Sequence, residues 1–183
     1  MNNAISHTVY RALAVVAAAA LAACADGAPL ATDPQSPHDA KVATLTGVET
    51  GGPIATLQRV TARYHNLSAA LDDDFVLLHS CEDRPGEGPV GTVYVNVARL
   101  MDGVIDPESP DALIYEPSRT GPPTLVGVEF AVPNTGQNPP TFLGATFQRE
   151  DEFGVFALHA WVWRTNPEGL FAETNPRVSC GAE

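Results

Sequence analysis

Two ionisable residues stand in segments that are otherwise apolar. Glu129 lies in residues 124–132, TLVGVEFAV, and His159 in residues 155–164, VFALHAWVWR. A carboxylate buried without a partner costs several kcal/mol, so each residue demands one. If the two segments pair in register, the residues can serve each other. Such a pair has three uses: a hydrogen bond in the core, a share in a divalent metal site, or proton transfer to a substrate. The core pair, or a solvent-facing Glu129, is the simplest of these. Tyr94, Asn96, Trp161 and Trp163 are candidates to line a ligand pocket with Glu129 and His159, because aromatics around a few convergent polar groups make binding sites. Trp161 and Trp163, two apart, more often read as core. No cofactor is expected; a divalent metal on Glu129 and His159 is the alternative.

Other motifs carry less. Gly86-Glu87-Gly88-Pro89-Val90-Gly91 has the letters of a dinucleotide loop. It precedes a strand, no helix follows, and Pro89 removes an amide that a phosphate would need, so it reads as a turn. Asp102, Asp106, Glu108 and Asp111 place four carboxylates in ten residues. Their spacing is not that of an EF-hand, and two prolines shape the loop, which reads as a solvated turn. His79 and Cys81 share a strand face but fall short of a metal set.

The elements that position these residues begin after an address. Residues 12–23, ALAVVAAAALAA, are too short to span a bilayer and fit the core of a signal peptide. Leu21-Ala22-Ala23-Cys24 reads as a lipobox. Residues 1–23 are therefore expected to be removed and Cys24 to be acylated, anchoring the chain to a lipid bilayer. Ala25 favours the outer membrane, on its periplasmic or surface face, in a cell that has one. Residues 24–52 lack an apolar period and are rich in Pro, Gly and Thr; a disordered tether is expected. Cys81 and Cys180 remain, and in an exported chain they are expected to form a disulfide.

Residues 53–183 are expected to form a single domain. Leu57, Val60, Tyr64, Leu67 and Leu71 recur at helical steps, predicting one helix over 54–71 that starts near Pro53. Strand-like runs follow at 75–80, 92–97, 112–115, 124–132, 142–148 and 155–164. The last is apolar on both faces, as in a sheet covered twice. The fold class is α+β: one N-terminal helix packed on a mostly antiparallel sheet of five or six strands. The chain carries 10 Lys+Arg against 22 Asp+Glu, a formal charge of −12, which excludes nucleic acid as a partner.

One set of segments resembles a family of uncharacterised bacterial exported proteins. They are Thr61-Ala62-Arg63-Tyr64-His65, Gly91 with Tyr94-Val95-Asn96, Pro107 onward to Tyr115-Glu116-Pro117, Leu125-Val126-Gly127-Val128-Glu129-Phe130, Leu158-His159-Ala160-Trp161-Val162-Trp163, Asn166-Pro167 and Asn175-Pro176-Arg177-Val178-Ser179-Cys180. The resemblance implies one exported domain and no established activity. In the family pattern a His often precedes the Tyr of the Gly-x-x-Tyr segment. Here that position is Val93, so a metal set built on that His with Glu129 and His159 would lack one ligand. The expected function is a membrane-anchored envelope lipoprotein that binds a small ligand or an envelope protein without catalysis. The alternative is a periplasmic or surface enzyme with Glu129 and His159 as catalytic or metal-binding residues.

Overall fold

The computed structural model describes Lys41–Val42 and residues 52–181. Residues 1–23, expected as a signal segment, Cys24, expected to be acylated, and most of residues 24–52, expected as a tether, lie outside the described residues. Within the expected tether, Lys41–Val42 (β1) pairs in parallel with Val104–Ile105 (β4).

The fold is α+β. Six strands form one antiparallel sheet: Val76–Arg84 (β2), Gly88–Val95 (β3), Ala112–Glu116 (β5), Thr124–Pro133 (β6), Val155–Ala160 (β10) and Gln148–Glu150 (β9), in that spatial order. The sheet curls until its edges approach. Arg84 on β2 comes within 4.0 Å of Glu150 on β9, and His79 on β2 stacks with Phe153, after β9, at 6.1 Å.

The helical stripe is broken into Pro53–Thr61 (α1), a 3-10 turn at Ala62–His65 and Leu67–Asp72 (α2). Two polar side chains account for the break. Thr61 Oγ1 donates back to Leu57 O at 2.6 Å, a bond that bends helices. Asn66 is extended, and its side chain accepts from Ser68 N at 3.1 Å, capping α2. Leu57, Tyr64 and Ala70 still reach the main core, where they meet Tyr115, Leu125, Val128, Phe130, Phe156 and Leu158.

The expected strand at 92–97 stops at Val95. Asn96 turns the chain into a short helix, Val97–Asp102 (α3), which the sequence pattern did not disclose. The expected strand at 142–148 is a small hairpin, Thr141–Phe142 (β7) and Ala145–Thr146 (β8), followed by β9. Leu143 and Gly144 turn it with positive φ.

In β6 the alternation slips. Ile114 pairs with Gly127 but Tyr115 with Leu125, so Val126 is the extra residue of a bulge. Val126 therefore joins the second cluster, with Val90, Val93, Val95, Ala112, Ile114, Trp161 and Val178, while Val128 stays in the main core. Both faces of the sheet are thus covered, and β10 is buried along its whole length. Two glycines allow this packing. A Cβ on Gly127 would lie 3.0 Å from Ala160 O and 3.3 Å from the Trp161 ring, and one on Gly91 would lie 2.8 Å from Ile114 Cγ2. Gly91 also holds φ +98°, which a side chain would strain.

Beyond Ala160 the chain leaves the sheet, short of the expected end at 164. Trp163 N and Arg164 N both donate to Val126 O, at 3.1 and 3.0 Å, and so use the carbonyl at the bulge. The tail then returns across the sheet and is tied to β2 by the Cys81–Cys180 disulfide, 99 residues apart in sequence. Replacing both cysteines by serine is expected to lower stability by about 2–5 kcal/mol in urea unfolding. An unchanged midpoint would mean that the tail's hydrogen bonds hold it unaided.

Candidate functional site

Glu129 and His159 are direct register partners on β6 and β10. Both are 8 % exposed. His159 Nε2 lies 3.5 Å from Glu129 Oε2, and Nδ1 lies 2.6 Å from the main-chain oxygen of Glu173. A carbonyl only accepts, so Nδ1 carries the hydrogen and Nε2 faces the carboxylate. Burial pushes the imidazole toward its neutral form. The hydrogen bond and charge of Glu129, reinforced by Glu173, outweigh burial and raise the His159 pKa above its ordinary value.

The six residues expected to share a pocket do not all converge. Trp161 stands edge-on to His159, with ring centroids 5.9 Å apart, and donates Nε1 to Ala172 O at 2.7 Å. Trp163 packs on the main core, donating to Thr61 Oγ1 at 3.0 Å and meeting the His65 ring at 4.3 Å. Tyr94 packs against that core beside Tyr115. Asn96 caps α3: its Oδ1 accepts from Arg99 N at 3.1 Å and its Nδ2 donates to Asp73 O at 2.9 Å. Only Glu129, His159 and Trp161 therefore form a group. No set of three or more His, Cys, Asp and Glu side chains suited to a metal occurs among the described residues.

What His159 and Trp161 hold is a strap, residues 168–174. Trp161 N also donates to Leu170 O at 2.9 Å, and Asn166 Nδ2 to Thr174 O at 2.8 Å. The strap forms one wall of an open cleft of about 660 Å³. The other walls are β9 and the β2–β3 turn. Arg84, Glu150 and Glu173 converge there from three elements. Arg84 Nη1 lies 3.0 Å from Glu173 Oε1 and Arg84 Nη2 lies 4.0 Å from Glu150 Oε2. The two carboxyl groups are thus gathered on one guanidinium. Burial, then the hydrogen bond and charge of Glu173, push the Glu150 pKa up to about 7, against the pull of Arg84 and His159. Phe171 adds an apolar surface.

These three charged residues carry no signal in the sequence. Arg84 and Glu150 end strands beside turns, and Glu173 lies in a stretch without period. Only the curl of the sheet brings them together. Comparison with protein-family models, with curated proteins and with solved structures returns no match for this chain.

A second buried acid sits beside Glu129. Asp111, 1 % exposed, accepts from Ala131 N at 2.9 Å through Oδ2, while its Oδ1 has no partner. Burial pushes its pKa up to about 8; the Ala131 amide opposes this, and the charges of Asp102 and Glu129 add to it. The folded pKa values of Asp111, Glu150 and His159 are all raised, from ordinary values of 3.8, 4.5 and 6.5. The folded state therefore binds more protons than the unfolded state, and stability falls as pH rises. The decline is expected to start near pH 4 and to continue past pH 8. Asp111→Asn should flatten most of it between pH 4 and 8. Thermal melts of both proteins at half-unit pH steps check this, and parallel curves would remove Asp111 as the cause.

Proposed function

We propose that this protein is a lipid-anchored envelope protein whose domain binds a small polar ligand in the cleft between the strap, β9 and the β2–β3 turn. One observation carries the reading: Arg84, Glu150 and Glu173, each partly buried, meet in a concave space of about 660 Å³. Partly desolvated charges around a concavity bind hydrogen-bonding ligands more strongly than the same groups on an open surface. The lipobox supplies the anchoring half of the reading. Glu129 and His159 belong beneath this site. Both His159 nitrogens face internal partners, and both side chains are buried, which favours a role in holding the strap over contact with a substrate.

A library of small polar compounds, followed by amide shifts of the protein, tests the cleft. Binders are expected to shift residues 148–150 and 168–174 together. Arg84→Ala should then raise the dissociation constant about tenfold or more, the usual effect of losing a hydrogen bond to a charged group. Binders that shift only other surfaces, or that ignore Arg84→Ala, would sink the reading.

Anchoring has its own test. Cells fed a labelled fatty acid should label the wild-type chain and not Cys24→Ser, which should also leave the membrane fraction. Label on both would place any lipid elsewhere.

A further inference from the structure

The walls of the cleft differ in how firmly they are held. The strap is pinned through its main chain at Leu170, Ala172, Glu173 and Thr174, by Trp161, His159 and Asn166. β9 is three residues long and pairs on one side only, with Ala157, Phe156 and Val155 of β10. Glu150 is its last residue. β9 is therefore the wall that can move.

Charged groups reach Glu150 from every neighbouring element. Arg84 comes from β2, Glu173 from the strap, and His159 from β10 beneath. Glu87 in the β2–β3 turn and Glu168 in the strap line the same cleft. Arg149, on β9 itself, is engaged with Asp151 at 2.5 Å. Arg84 sits closer to Glu173, at 3.0 Å against 4.0 Å, and so leaves Glu150 the less compensated of the two. Two carboxyl groups gathered on one guanidinium are like charges in a partly desolvated space, with one countercharge between them, unless one of them holds a proton.

We propose that the cleft is operated by a proton: held between Glu150 and Glu173, it draws β9 onto the strap, and its loss to solvent releases β9 and widens the cleft. This rests on the cleft being the ligand site, whose access β9 would then control. Burial and the neighbouring Glu173 push the Glu150 pKa up to about 7, so the changeover is expected near neutral pH.

The test needs no ligand. Hydrogen exchange of the Gln148–Glu150 amides is followed in the whole chain from pH 5 to 8, corrected for intrinsic exchange and compared with β6 amides. The β9 amides are expected to lose protection by up to about tenfold per pH unit from roughly pH 5 to 7, then to level off, ahead of β6. Glu150→Gln should flatten this profile, because an amide can hold Glu173 without a shared proton. Glu173→Gln should flatten it as well. The carboxyl carbon shift of Glu150 in the wild type, which needs no variant, should titrate near pH 7 in step with β9. The proposal is overturned if β9 follows β6 at every pH, if Glu150→Gln keeps the slope, or if the Glu150 carboxyl titrates near its ordinary 4.5. A compound screen that finds no ligand would remove the functional reading and leave this exchange result standing.

Discussion

The site depends on one buried imidazole. His159 is fixed between the Glu129 carboxylate and the main-chain oxygen of Glu173, and neither contact is local in sequence. The first ties β10 to β6 across the sheet. The second brings the C-terminal strap down onto it. An apolar residue at this position would fill the space and leave the Glu129 carboxylate unpaired in the core, a costly arrangement. Trp161 repeats the fastening two residues on, through both its main-chain amide and its indole nitrogen. Together they turn a tail without regular structure into a fixed wall.

The curl of the sheet supplies the other wall. Curvature of this kind needs a bulge and small residues where backbones come close. β6 provides both, with Val126 as the extra residue and Gly127 under the Trp161 ring. Gly91 lets β3 lie against Ile114 and Tyr115 of β5. The result is a sheet whose edges face each other without pairing. Side chains from β2 and β9 meet across the gap, and the disulfide at Cys81 anchors the β2 side. The cleft lies where the sheet stops short of closing.

Titratable groups gather around the same region. Asp111, Glu129, His159, Glu150 and Glu173 run from the buried face of β5 and β6 through β10 to the cleft mouth. Only one arginine, Arg84, stands among the cleft carboxyls as a close ion pair. A chain with 22 acids and 10 basic residues is short of countercharges. Protons take their place, and acids that are buried or crowded hold them to higher pH. Asp111 shows this most simply, with one oxygen bonded to an amide and the other bonded to nothing.

The sequence by itself determined the fold class, because strand and helix periods depend on local spacing. It also marked Cys81 and Cys180 as a pair and Glu129 and His159 as polar residues in need of partners. Their register match followed from two neighbouring antiparallel strands. The break in the first helix was less legible, since Thr61 and Asn66 act through hydrogen bonds that a hydrophobic stripe does not reveal. The bulge at Val126 was illegible for the same reason, and it moved that side chain to the opposite face. Tyr94, Asn96 and Trp163 fit a pocket by residue type, yet each is committed to a local or core contact. Tertiary structure alone decided the cleft. Arg84, Glu150 and Glu173 stand up to 89 residues apart, and only the curl of the sheet and the return of the tail make them neighbours. Periodicity encodes which face of an element is buried; it does not encode which distant edges that burial brings together.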